Sequence, residues 1–155
     1  MVEDDVVGRP SSTFAVSFRR QLDAYGQGLS KDLSGVLSFG EPTARQVLRF
    51  LLTSACWGQG SESIGRGQDG SRALPRHWVR SELMSAVDET ISMDDEYEYR
   101  RLLELARLLD LPHEIASGLL ARGLESADLD LKETAEEFAD LTASRNALPR
   151  AEPRS

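Results

Sequence analysis

The chain has 155 residues, of which 40% are hydrophobic and 28% are charged, and these are ordinary values for a globular protein. A formal net charge of −8 excludes general binding to nucleic acid, because contacts with phosphates need clustered Lys and Arg side chains. The single cysteine, Cys56, excludes an intramolecular disulfide, so nothing indicates an oxidising compartment.

The length fits one domain, which we place at residues 12–142. Residues 1–11 and 143–155 contain few apolar side chains, and we expect two disordered tails there. The first five residues are acidic where a secretory signal is basic, and the longest apolar run, near Leu51, is far too short to cross a bilayer. We therefore expect a cytoplasmic protein that does not contact a membrane.

Apolar residues recur at helical spacing from the start of this domain. A first helix ending near Gly26 has on one face Phe14, Phe18, Leu22 and Tyr25. A shorter helix ends at Gly40, and a third begins at Pro42, where the first helical turn tolerates proline. This third helix stops at Trp57, and Cys56 lies on its apolar face as a predicted core residue.

Residues 58–73 contain five glycines and several serines, a composition that predicts a long and mobile loop. Within it, Gly65 to Gly70 match the pattern G-x-G-x-x-G. A dinucleotide-binding turn needs a strand before this pattern and a helix directly after it, whereas this one follows a helix. We therefore interpret the segment as a flexible connector and not as a phosphate site.

Four more helices are predicted behind this loop. The first begins at Pro75, and the next follows Ser92 to Asp95, which fit a capping box. Pro112 begins the third, and Gly123 stands where a left-handed C-cap is expected. The last helix opens near Asp130, with three residues facing inward: Leu131, Ala135 and Phe138. No strand-like alternation occurs, so we predict an all-α fold, a compact bundle of six or seven helices.

Residues 94–141 hold all of the net negative charge. This segment has 14 Asp and Glu against 5 Lys and Arg, a net of −9, while the other residues have 12 against 13, a net of +1. A field this uneven steers a basic partner toward one side of a protein.

Gly123 to Ala135 resembles the turn and second helix of a HEAT-type repeat. Asp128 and Asp130 match its acidic turn and Lys132 its basic position, while Ala135 and Phe138 match packing positions. The resemblance spans about residues 94–141 and implies HEAT-like α-α hairpins in the C-terminal half. In charge and helical content the chain is also similar to bacterial immunity proteins, which mask the basic active site of a toxin.

Groups suited to catalysis or metal binding are few. The only thiol and imidazole side chains, Cys56, His77 and His113, are too few for a structural zinc site, and we expect no cofactor and no metal. No paired nucleophile and base is recognisable, so we expect no enzymatic activity. Four arginines beside residues 58–73 form a basic strip suited to phosphate, to an acidic partner or to the acidic half of the chain: Arg66, Arg72, Arg76 and Arg80.

We interpret the chain as a non-catalytic protein-binding module, an immunity or inhibitor protein that presents an acidic helical face to a basic protein. The residues predicted to form that face are Asp94, Asp95, Glu96, Glu98, Glu104, Asp110 and Glu114. Two alternatives stay open. One is a regulatory or scaffold adaptor that binds through an apolar groove between helices, and the other is a small enzyme with a pocket near His77.

Overall fold

The computed structural model describes residues 13–147, and the side chains as far as residue 141. Within this range the chain forms seven α-helices and one 3-10 helix and no strand, which confirms the all-α prediction. It divides between Thr90 and Ile91 into two compact units. Each unit has its own buried core, and we call them unit 1 and unit 2.

Unit 1 is built around one central helix, α2, which packs against every other helix of the unit. Its elements are α1 (Thr13–Tyr25), a 3-10 helix (Leu33–Phe39), α2 (Glu41–Trp57), α3 (Ser61–Ala73) and α4 (Arg76–Thr90). As predicted, a proline stands in the first turn of α2 and Cys56 is buried. The fully buried side chains of α2 are Ala44, Val47, Leu48, Leu51, Leu52, Ala55 and Cys56. Because the other helices of unit 1 pack around α2, a large part of its surface must be apolar.

The prediction of a loop over residues 58–73 was wrong, because most of this segment is helix α3. Two of its three glycines are contact residues: a Cβ atom added to Gly67 would lie 2.4 Å from the Ala55 nitrogen and 2.7 Å from the Leu51 carbonyl oxygen. A Cβ on Gly70 would lie 2.5 Å from Leu51 Cδ2. The low helix propensity of glycine is therefore offset by backbone packing that only glycine permits.

One serine hydroxyl bonds across the contact between α2 and α3, and another bonds within α3. The Ser63 hydroxyl donates to the Ser54 carbonyl at 3.2 Å, and the buried Ser71 hydroxyl donates to the Gly67 carbonyl at 2.8 Å. These bonds satisfy hydroxyl groups that would be costly to bury alone. Gly67 and Gly70 of the G-x-G-x-x-G pattern thus serve helix packing within unit 1.

Unit 2 consists of three helices: α5 (Glu96–Leu109), α6 (His113–Leu124) and α7 (Leu129–Ala147). The three residues predicted to face inward on the last helix, Leu131, Ala135 and Phe138, are buried. Helix α7 continues to Ala147, so the first five residues of the expected tail at 143–155 are helical. The remainder of that tail and the expected tail at 1–11 lie outside the described residues.

The capping box at the start of α5 lies three residues later than predicted. Asp95 is the N-cap, and its carboxylate accepts the Glu98 backbone N–H at 3.0 Å. The Glu98 carboxylate accepts the Ser92 backbone N–H at 2.9 Å. Ser92 therefore donates its N–H from outside the helix, and the two carboxylates satisfy free N–H groups.

A buried tyrosine joins α5 to α6 inside unit 2. Tyr99 is fully buried, and its hydroxyl donates to the Leu119 carbonyl at 2.6 Å. Burial away from water raises the pKa of this phenol above its ordinary value. Gly123 lies inside α6, where a Cβ would come within 2.4 Å of the Tyr99 oxygen and 2.7 Å of Ala135 Cβ. The prediction of Gly123 as a left-handed C-cap was therefore wrong. The absence of a side chain at Gly123 makes room for Tyr99.

The close approach of α3 to α2 generates a matched pair of substitutions. Gly67→Ala should lower the free energy of unfolding by about 1–3 kcal/mol, because the new methyl group meets backbone atoms of α2. Gly65→Ala, in the same helix with no atom within 4 Å of the new Cβ, should raise it by about 0.5–1 kcal/mol. Urea unfolding followed by circular dichroism measures both. Equal effects of the two substitutions would contradict glycine-dependent packing.

Candidate functional site

Four of the seven residues predicted for the acidic face lie at the start of α5, and three of them already have local roles. Asp95 and Glu98 cap the helix, as described above. Asp94 has a highly exposed side chain that is 3.9 Å from the Arg122 guanidinium. Glu96 is engaged most strongly, in a network between α5 and α7.

This network centres on Arg100 and Thr134. Arg100 pairs with Glu96 at 2.9 Å and with Glu137 at 3.2 Å. The buried Thr134 hydroxyl donates to Glu96 Oε2 at 2.7 Å and accepts from Arg100 at 3.2 Å. The hydrogen bond from Thr134, followed by the contacts with Arg100, holds the pKa of Glu96 below its ordinary value. Glu96 thus helps to fasten α5 to α7, and a partner would have to compete with these bonds.

The other three predicted residues differ in their surroundings. Glu104 pairs with Arg101 at 2.8 Å, whereas Glu96 pairs with Arg100. Asp110 is the C-cap of α5 in the left-handed conformation, with φ of 53°. Glu114 is exposed in the first turn of α6. Of these three, Glu104 and Asp110 line one groove.

The exposed acids without ion pairs lie mainly on α6, on α7 and in the turn between them. None of the following makes an ion pair with a described side chain, that is, with one between residues 13 and 141: Glu114, Glu125, Asp130, Glu133, Glu136 and Asp140. Glu133, Glu136 and Asp140 follow one another at helical spacing on the exposed side of α7, and we call them the α7 stripe. The negative charge of these residues is evident from the sequence. Only the folded structure shows that, unlike the paired acids of α5, they make no ion pair with a described side chain.

An apolar cleft lies among the three helices of unit 2, and we call it the α5–α7 cleft. Its volume is about 150 Å³. Its apolar lining consists of Leu103, Ala106, Leu111, Ala116, Leu120 and Phe138. Arg107 and Asp110 also line it, and the Arg107 guanidinium is 5.9 Å from the centre of the Phe138 ring. A cavity of about this size accepts a benzene-sized group, so the cleft has room for one apolar side chain.

The groups weighed for other chemistry are dispersed. His77 is exposed on α4 and lines none of the clefts described, while His113 is exposed at the start of α6, with the Ser117 hydroxyl 3.1 Å from Nε2. In the described part of the chain, no group of three or more His, Cys, Asp or Glu is placed to hold a metal ion. No helix between residues 13 and 147 has both the length and the apolar character needed to cross a membrane.

Comparison of the chain with protein families, with curated proteins and with solved structures gives no match. The resemblance of residues 94–141 to HEAT-type repeats and the analogy with immunity proteins therefore stay predictions.

The network around Thr134 predicts a measurable titration. Thr134→Val removes the hydroxyl bound to Glu96, so the pKa of Glu96 should rise toward 4.5. A lowered pKa stabilises the folded state above the unfolded value, and that stabilisation is lost as pH falls through the folded value. The variant should therefore show a smaller acid-induced loss of stability from this group. NMR titration of the Glu96 carboxyl measures the shift directly.

Thr90→Val is the matched control, because the Thr90 hydroxyl donates to the Ala86 carbonyl within its own helix. An unchanged Glu96 titration in Thr134→Val would contradict the assigned role of this hydroxyl.

Proposed function

We propose that the chain is a non-catalytic protein-binding module whose unit 2 presents an acidic surface to a basic protein partner, as an immunity or inhibitor protein does. The observation that supports this proposal is the set of exposed acids on α6 and α7 that make no ion pair within the described structure. Carboxylates already paired with Arg100 or Arg101 contribute little net field, whereas unpaired ones attract cations.

The α7 stripe is the centre of this proposed surface. Glu133, Glu136 and Asp140 are exposed and lie on the side of α7 opposite its buried residues. Leu129, 78% exposed, lies at the same side one turn before Glu133 and adds an apolar contact. A stripe of like charges beside an apolar residue suits a partner helix or loop rich in Lys and Arg.

A second candidate function rests on the α5–α7 cleft. Its apolar lining supports a regulatory or scaffold adaptor that receives one apolar side chain of its partner. The two functions differ in their dependence on salt. Steering by exposed charges is screened as salt rises, whereas burial of an apolar side chain is not.

The test is affinity capture from the native cell with the full chain immobilised, followed by mass spectrometry and association kinetics with the captured protein. We expect a basic partner that binds at about 0.15 M salt and is lost at about 1 M, as the Debye length falls from about 8 Å to about 3 Å. Glu133→Lys combined with Glu136→Lys should slow its association by about tenfold or more.

Two further variants complete the design. Asp69→Lys combined with Asp88→Lys makes the same change in net charge within unit 1, at exposed residues without described ion pairs, and should preserve more of the association rate. Ala116→Leu narrows the α5–α7 cleft without changing charge. A partner insensitive to salt and to the α7 reversal but lost with Ala116→Leu would overturn the acidic-surface proposal in favour of the adaptor.

A further inference from the structure

Unit 1 contains a cleft that the proposed function of unit 2 does not use. It has a volume of about 260 Å³ and lies between α1, the segment before the 3-10 helix, and α3; we call it the α1–α3 cleft. Phe18 and Leu22 of α1 contribute apolar surface, and they are only 7% and 3% exposed. The cleft therefore has an apolar floor that is already fixed in the core of unit 1.

The polar lining of this cleft is mainly cationic. Arg19, Lys31 and Arg66 line it together with a single carboxylate, Asp69, which gives three positive charges against one negative. Arg66 shares its charge with Glu62 at 3.3 Å. Among residues 13–141, whose side chains the structure describes, Arg19 and Lys31 make no salt bridge. Lys31 also interacts electrostatically with Asp23, so the positive charge that an anion would neutralise lies mainly on Arg19 and in part on Lys31.

The segment that carries Lys31 is held in place by hydrogen bonds. The Ser30 backbone N–H and hydroxyl both donate to the Asp23 carboxylate, each at 2.9 Å, and these two bonds lower the pKa of Asp23. The Lys31 N–H donates to the Gly28 carbonyl at 3.0 Å. Gly28 has φ of +89°, which glycine adopts readily, and Leu29 beside it is buried. The cationic rim is thus attached to an ordered turn, which lowers the entropic cost of binding.

We propose that the α1–α3 cleft binds a small organic anion with one carboxylate or phosphate group and a short aliphatic body. The anionic group contacts Arg19 and Lys31, and the aliphatic body lies against Phe18 and Leu22. The volume is slightly below the roughly 300 Å³ at which pockets for drug-sized ligands begin, so the ligand is small. This site is in unit 1 and is independent of the acidic surface of unit 2.

The test is titration of the full chain with hexanoate and with hexyl phosphate, observed by NMR and calorimetry. Hexanol and hexylammonium test the need for negative charge, and acetate and inorganic phosphate test the need for the aliphatic body. At least one hexyl anion should bind at least tenfold more tightly than all four controls and should shift the amide signals of Phe18, Lys31 and Arg66. Comparison of hexanoate with hexyl phosphate identifies the preferred anionic group.

Substitutions at the rim complete the test. Arg19→Gln combined with Lys31→Gln should weaken binding by about tenfold or more, since hydrogen bonds with charged groups are the stronger ones. Arg72→Gln removes an exposed cation of α3 that does not line the cleft, and it should leave binding unchanged. Absence of binding by both hexyl anions, equal binding of hexanol, or an affinity unaffected by the rim substitutions would each overturn the proposal. Circular dichroism of each variant is the control for correct folding.

Discussion

The close contact between the backbones of α2 and α3 is the constraint on which unit 1 depends. Gly67 lies against the main chain of α2 near Leu51 and Ala55, at a distance that admits no side chain. This approach lets α3 cover one side of a helix that has seven completely buried residues. It also places Arg66 and Asp69, on the other side of α3, at the cleft shared with α1. The glycine-rich segment is thus structural, and the polar residues Arg66 and Asp69 between its glycines line the cleft.

In unit 2, packing determines which charges are available. Tyr99 occupies the space left by Gly123, and the bonds of Arg100 with Thr134 and Glu137 join α5 to α7. Much of the charge of α5 is therefore used within the fold, as helix caps and ion pairs. The acids of the α7 stripe have no such partners in the described structure, although they contribute equally to the net charge of the segment. A count of acidic residues overestimates the electrostatic field around α5, because two of its carboxylates are paired with arginines of the same protein. For this reason the proposed binding surface lies on α7 and not on α5.

Helices with strong apolar periodicity could be predicted from sequence, including the one with a proline in its first turn and the buried face at Leu131, Ala135 and Phe138. The helix at residues 61–73 could not, because its glycines oppose helix formation locally, and the contact with α2 that favours Gly67 and Gly70 cannot be read from sequence spacing. Likewise, the acidic segment was evident from composition. Its division into paired and unpaired carboxylates depends on Thr134 and Glu137, which are more than thirty residues from the arginine and glutamate that they contact. Sequence spacing does not report such contacts.

The central claim is that the glycine-rich segment is a packed helix and not a flexible connector. Native-state hydrogen exchange of the backbone amides tests this most directly. The account predicts that the amides of Gly67, Gly70 and Ser71, all buried in α3, exchange far more slowly than unstructured peptide and with protection comparable to that of α2. Exchange across residues 61–73 at the rate of an unstructured chain, while α2 stays protected, would contradict it.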